Sequence, residues 1–429
     1  MGLQSTLVDV LNYRVLVAKP NVRQYGHLGL EILMALADAR RLGADVLFVH
    51  PAEVAGGGLF ELESSEVRIR RFPRSIVAAA EAPLRLRDWQ DRMTVFCREL
   101  AVRFRAELAR ECAEYGRDRT LPKEVRHGLG VYEHRVSARV EQLRSAIGPE
   151  RYYFRRRLLR KRVETHLRPE AEKTARAAAR AHGIAADARI VCIHARESGY
   201  KQGREMQDSK PETGRDDGAR NARIESYFAA CDYLVGMGYT VVRLGDPSMT
   251  PVSRAGIVDL ATAPARTNLL EIFLLLRAHF IIAGESGLLG VSYVTNTPLL
   301  TVNATEPISA YPIRADGLFM TKKVIDRQTG RRLSQEDLLT EAYQRTLRST
   351  RRYVYVDNTP DEIRAGVREM LGWIDRRDES PGQRAYHAHI VAAAAALQSR
   401  VSYIRKWGLD GGFLGDGRIA NVALEGAAP

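Results

Sequence analysis

Between Ala188 and Val302 the chain alternates short apolar runs with segments of helical period, and this alternation restricts its fold more than any other feature. Residues 188–194, 239–244, 256–260, 280–283 and 298–302 read as buried strands; 223–237, 268–278 and a segment opening at Gly284 read as helices. Strands that are apolar throughout, with helices between them, pack as a parallel sheet covered on both faces. A strand with one wet face would alternate apolar and polar residues instead. The same order occurs near the start, with strands over 15–18 and 45–50 around a loop containing Gly26 and Gly29 and a helix over 30–41. The expected class is therefore α/β, with two doubly wound, Rossmann-like domains.

A chain of 429 residues is long enough for two such domains. From about 78 to 181 the text becomes rich in Ala, Arg, Glu and Leu, and a helical insertion in the first domain is expected there. The expected divisions are an N-terminal domain over 1–185, a C-terminal domain over 186–378, and a helix and tail over 379–429. Residues 201–218 read as a mobile polar loop, 334–347, 359–377 and 383–405 as closing helices, and 411–429 as loop.

Lys and Arg number 65 against 52 Asp and Glu, a net charge of +13, which favours anionic partners without choosing among them. The densest basic segment is 151–162, RYYFRRRLLRKR. It reads first as the solvated face of a helix, and second as a patch for anionic lipid or a polyanionic acceptor. Cys97, Cys112, Cys192 and Cys231 lack metal-ligand spacing and read as reduced thiols. The first residues lack a secretory pattern, and no apolar run is long enough to span a bilayer, so a cytoplasmic protein, at most peripheral to the membrane, is expected. No phosphate loop, full GxGxxG fingerprint, HExxH, EF-hand loop or GxSxG elbow is present. Without a zinc finger or an RNP-type aromatic pattern, nucleic-acid binding would rest on net charge alone.

Ligands of open α/β sheets sit beyond the carboxyl ends of the strands, so the residues there carry the chemistry. Arg196, leaving the 188–194 strand, offers a planar fork suited to a diphosphate, while its neighbour His194, taken alone, reads as a satisfied core histidine. Gly284-Glu285-Ser286-Gly287 is a turn where backbone and hydroxyl donors can meet phosphate oxygens, or an ordinary strand-to-helix turn. Asp246, after Arg243-Leu244-Gly245, can accept from ribose hydroxyls or cap the next turn. In Tyr25-Gly26-His27-Leu28-Gly29-Leu30-Glu31 the glycines allow close approach, and His27 can act as a base near neutral pH. Asp216-Asp217 falls in the polar loop and is set aside, leaving no DxD-type metal motif at a strand end.

Together and in order, these segments resemble a bacterial family of glycosyltransferases recognised mainly from sequence. Its features are a YGHLGLE-type loop (25–31), an HxRxSGY strand end (194–200), an Arg-Asn-Ala step (220–222), VxRLGD (241–246), a Gly-x-Ser-Gly turn (284–287), and a following Asn303 and Lys322-Lys323. The HxR strand end is also similar to that of fucosyltransferase-like enzymes. The resemblance is densest over about 190–325. This chain departs from the family in reading HARESGY, with Glu197 where a shorter acid is usual, and in a more charged 201–219 segment.

The resemblance implies a GT-B-like enzyme that moves a hexosyl or deoxyhexosyl group from a nucleotide sugar to an acceptor hydroxyl, without metal or cofactor. It implies donor contacts from His194, Arg196, Ser198, Arg243, Asp246, Gly284, Ser286, Gly287, Asn303 and Lys322, and an acceptor side at Gly26, His27, Arg220 and Asn221. Arg196 and His27 would be catalytic. The acceptor is unidentified, a lipid-linked or polyanionic glycan being one class that suits the basic run, and no specific nucleic acid is expected. A nucleotide-sugar epimerase of the same fold and a basic nucleic-acid-binding protein remain as alternatives.

The basic run generates a test of its own. Near an anionic surface each engaged basic residue adds about 1 kcal/mol. Wild-type protein is expected to cosediment with anionic vesicles at low salt but not at high salt. Replacing Arg155, Arg156, Arg157 and Arg160 by Gln should abolish this; equal sedimentation of both proteins, or of neither, would leave the run a solubility feature.

Overall fold

The computed structural model describes residues 15–18, 25–41, 46–49, 57–64, 67–71, 110, 113, 117, 122–123, 160, 162–199, 209–210, 215–401, 404 and 415–425. The first part holds β1 (Val15–Ala18), α1 (Tyr25–Arg41), β2 (Val46–Val49), β3 (Leu62–Ser64), β4 (Arg68–Arg71), β5 (Thr165–Leu167) and α2 (Pro169–Ala181). After it come β6 (Arg189–His194), β7 (Ser209–Lys210), β8 (Arg215–Asp216), α3 (Phe228–Gly236), β9 (Tyr239–Arg243), β10 (Ile257–Asp259), α4 (Asn268–Arg277), β11 (Ala278–Ala283), α5 (Leu288–Val294) and β12 (Leu299–Ala304). The remainder holds β13 (Leu318–Thr321), β14 (Lys323–Asp326), α6 (Glu341–Arg345), β15 (Tyr353–Val356), α7 (Pro360–Arg376), α8 (Pro381–Leu397), β16 (Arg418–Ile419) and α9 (Asn421–Glu425).

The α/β expectation holds. Strands β1, β2 and β4 form a small parallel sheet, and a seven-stranded sheet runs in the order β10-β9-β6-β11-β12-β13-β16. Every pair in the larger sheet is parallel. In chain order its first six strands stand 3-2-1-4-5-6, the doubly wound arrangement. Side chains alternate between two cores: Ile190 and Cys192 face α4 and α5, while Val191 and Ile193 face α3 and α7. Local signals mark the closing helices. Thr359-Pro360 with Glu362 starts α7, and Ser380-Pro381 with Gln383 starts α8, each through a reciprocal capping box.

Helix α1 begins at Tyr25, not at Leu30 as the glycines suggested. Gly26 and Gly29 lie within its first turns and meet the backbone of the Gly287–Gly290 segment. A methyl built on Gly26 would lie 2.4 Å from the Gly287 carbonyl oxygen, and one on Gly290 would lie 2.2 Å from the Gly26 carbonyl oxygen. Glycine is needed here for approach rather than for φ. Leu28, Ile32, Leu33, Met34, Leu36 and Ala39 are all buried, so α1 is apolar around much of its girth. That suits a helix held between its own small sheet and α5.

Other boundaries moved for tertiary reasons. The helix expected over 334–347 is a 3-10 turn (Asp337–Leu339) followed by α6. The expected tail loop contains β16, which extends the sheet beside β13, and α9. Strands this short carry no readable period, and pairing alone creates them. Of the helical region expected over 78–181, α2 is present and β5 is a strand; most of the rest lies outside the described residues, as do residues 201–208 and 211–214 of the expected loop. Arg160 pairs with Asp416 at 2.9 Å and Arg162 pairs with Asp316, while the rest of the basic run lies outside the described residues. Among the described residues no helix is long and apolar enough to cross a membrane.

The glycine seam sets a stability test. Gly26→Ala and Gly290→Ala should each cost about 1–3 kcal/mol in urea unfolding, because backbone atoms must move. Gly236→Ala meets nothing within 4 Å and should be neutral or stabilising. Equal effects at all three positions would mean that the seam does not hold the helices together.

Candidate functional site

Strands β6 and β11, first and fourth in their sheet, lie side by side, with His194 in register with Ala283. The chain leaves β6 toward α3 on one face and leaves β11 toward α5 on the other. A crevice opens where these connections part, the usual ligand position in such sheets. Its walls are the 195–199 and 284–287 segments, and the Gly284 N–H still donates to the His194 carbonyl at 3.2 Å.

Arg196 emerges on one wall, and its Nη1 donates to the Asp217 carbonyl at 3.1 Å and to Asn221 Oδ1. Asn221 Nδ2 donates to Ser198 Oγ at 2.7 Å, and the Asn221 carbonyl accepts from Lys322 Nζ, which pairs with Asp357 at 2.7 Å. Arg220 and Asn221, expected on the acceptor side, thus stand on the same wall as Arg196, Ser198 and Lys322. The Arg-Asn-Ala step orients Arg196 through Asn221.

Arg220 belongs to a 3-10 turn (Asp217–Arg220) that is capped by Asp216, whose Oδ1 accepts from the Gly218 N–H at 2.7 Å. The turn presents Asp217 toward two guanidiniums, Arg220 at 3.0 Å and Arg348 at 3.1 Å. Arg348 also reaches Glu285 at 3.4 Å and donates from Nε to Thr305 Oγ1 at 3.0 Å. Burial and then the neighbouring Arg348 charge lower the Arg220 pKa to about 10. Arg220 Nε and Ser286 Oγ are buried without a hydrogen-bond partner among the described residues. Arg348 has φ of 62°, a left-handed conformation that costs a non-glycine residue about 1–2 kcal/mol. It is held there by the Tyr355 hydroxyl, which accepts its N–H at 2.8 Å, and by the Asp216 N–H, which donates to its carbonyl at 2.9 Å.

Several of the expected donor residues are held by protein partners. Arg243 is fully buried, with its guanidinium on Glu197 at 3.1 Å, Asp259 at 3.2 Å and the Thr250 carbonyl at 2.7 Å. It ties together the loops after β6, β9 and β10 and has no surface left for a ligand. Glu197 is therefore an anchor for that arginine. His194 is buried with Nδ1 on the Leu244 carbonyl at 3.0 Å, and burial lowers its pKa to about 4, so it is neutral near pH 7. Asp246 is half-buried and accepts from the Ser248 N–H and hydroxyl at 3.1 and 2.6 Å. Asn303, at φ of 56°, exchanges backbone and side-chain bonds with Asn358 at 2.8 and 2.6 Å.

In the expected phosphate turn, Gly284 lines the crevice base, but Gly287 abuts Gly26, so its glycine serves helix packing. His27 has its backbone in the first turn of α1; its side chain lies outside the described residues. Reading the sequence missed Arg348, which no motif marked, and set aside Asp217, which pairs with Arg220 three residues on and with Arg348 far along the chain. Glu285 was visible inside its turn, but no local pattern distinguished its role. Among the described residues no group of three or more His, Cys, Asp or Glu is placed to hold a metal ion.

No family model matches the chain, and no curated protein matches it. Among solved structures it is similar to the ADP-heptose LPS heptosyltransferase II of E. coli, at 13% identity and TM-score 0.41, covering 83% of this chain and 98% of that one. It is also similar to a glycosyl transferase family 9 protein from Veillonella parvula, at 12% identity and TM-score 0.34, covering 69% and 81%. A third is the E. coli heptosyltransferase WaaC with ADP, at 13% identity and TM-score 0.31, covering 72% of this chain and 91% of that one.

His194 gives a pH test. Unfolded, it titrates near 6.5, and folded near 4, so the unfolded chain binds more protons between these values. Its contribution, about 3 kcal/mol, is full above pH 6.5 and is lost as pH falls toward 4. His194→Asn keeps a donor for the Leu244 carbonyl and should flatten that part of the stability–pH curve. Parallel curves for the two proteins would show that the ring titrates normally.

Proposed function

We propose that the chain is a glycosyltransferase of GT-B-like architecture, moving a sugar from a nucleoside-diphosphate donor to an acceptor hydroxyl. The observation that carries this reading is the set of cations at the β6–β11 crevice. Among the described residues Arg196, Arg220, Arg348 and Lys322 gather with Asp217, Glu285 and Asp357 where a ligand of such a sheet would sit. An acceptor-rich diphosphate would supply the missing partners for Arg220 Nε and Ser286 Oγ. The family resemblance of the strand-end motifs supports the same reading.

In the proposed reaction the acceptor oxygen bonds to the anomeric carbon as the bond from that carbon to the diphosphate breaks. The electron pair leaves on the nucleoside diphosphate, and the guanidiniums stabilise the developing charge. Arg196 is the primary contact, oriented by Asn221. His27 is assigned as the base that takes the acceptor proton. Its backbone lies beside Gly26, which reaches the Gly287 wall. No cofactor or metal is assigned. The acceptor is assigned to the lipid-linked or polyanionic glycans, in keeping with the basic run 151–162, with peripheral contact at the inner face of the membrane.

A thermal-shift series with ADP, GDP, UDP, CDP and TDP tests the donor. The matching diphosphate at 100-fold its Kd should stabilise the protein by about 2.7 kcal/mol. Arg196→Lys keeps the charge but loses the fork, and should lower kcat/KM on the order of 10²-fold. No shift with any nucleotide would remove the transferase reading; a near-native lysine variant would remove the role of Arg196.

A further inference from the structure

We propose that Asp217 is an internal counter-anion, which bridges Arg220 and Arg348 and yields its place when a diphosphate enters. The inference rests on the transferase reading for the identity of the ligand. Its motivation is geometric. The two oxygens of one carboxylate reach two guanidiniums, Oδ2 to Arg220 at 3.0 Å and Oδ1 to Arg348 at 3.1 Å. A phosphate group spans two arginines in the same way, and adds a third oxygen.

That third oxygen has partners waiting. With both Asp217 oxygens engaged, Arg220 Nε and Ser286 Oγ remain buried without a bond among the described residues. Ser286 follows Glu285, whose carbonyl accepts from Arg220 Nη1 at 3.5 Å, so the serine stands beside the arginine. A buried donor without an acceptor is costly, and a carboxylate of two oxygens cannot satisfy this set.

The two carboxylates of the network differ in freedom. Glu285 is 5% exposed, and its Oε2 accepts from both the N–H and the hydroxyl of Thr305, so it stays as part of the wall. Asp217 is more exposed and takes its place from a short turn, so it can leave without disturbing a strand. Arg348 cannot follow it, because its backbone is fixed by Tyr355 and Asp216 and its Nε by Thr305. When Asp217 withdraws, Arg220 and Arg348 face one another with less compensation, and only an anion restores the balance.

Inorganic pyrophosphate is the probe, since it needs no knowledge of the nucleotide base. Calorimetric titration of the full chain at low salt compares wild type, Asp217→Asn and Arg348→Gln, with unliganded melting curves recorded for each. An occupied site weakens apparent affinity by the fraction of molecules in which it is free. Asp217→Asn should therefore bind pyrophosphate on the order of tenfold more tightly than wild type, and Arg348→Gln on the order of tenfold more weakly. If Asp217→Asn does not fold, Asp217→Ser makes the same comparison. Folded aspartate variants that bind no better than wild type would overturn the exchange, as would an unaffected Arg348→Gln or no binding by any of the proteins. Tighter pyrophosphate binding by Asp217→Asn without nucleotide binding would keep the exchange and remove the transferase. Sugar transfer with no gain in Asp217→Asn would do the reverse.

Discussion

The parallel pairing of β6 with β11 is the interaction on which the rest depends. These strands are distant in sequence, and between them the chain completes β9, β10 and their connections on one side of the sheet. Returning to the other side of β6 makes the two strand ends neighbours whose continuations leave to opposite faces. The crevice is thus a consequence of winding order rather than of any local motif.

What occupies the crevice follows from the cost of burying charge. Guanidiniums withdrawn from water need anions or carbonyl oxygens close by, and losing a partner leaves an expensive group behind. Asp217, Glu285 and Asp357 meet that need for Arg220, Arg348 and Lys322. A different set serves Arg243, whose guanidinium meets Glu197, Asp259 and the Thr250 carbonyl. Arg196 and Arg243 both stand at the ends of sheet strands, yet the first reaches the crevice and the second locks loops together. The difference lies in which partners converge on each.

The glycine seam connects this site to the first part of the chain. Gly26 and Gly29 on α1 and Gly287 and Gly290 on the opposing segment let two backbones approach more closely than any side chain would permit. The residues that resembled a ligand-binding loop therefore serve docking, and docking places the start of α1 against one wall of the crevice. Closeness to a ligand and closeness to another helix make the same demand on a residue, so the sequence could not distinguish them.

The sequence alone determined the α/β class and most strands of the large sheet, because continuous apolar runs separated by helical periods have few other ways to bury themselves. Capping signals that act within a single turn set the starts of α7 and α8, against expected starts at 359 and 383. The sequence brought Arg196, Ser286 and Lys322 into view through short motifs. Only the tertiary structure placed Arg348 and Asp217 with them, removed Arg243 from the surface, and added β16 to the sheet edge. Ion pairs and parallel strand pairings join residues far apart in the chain, and neither leaves a period or a spacing in the sequence from which the partner can be read.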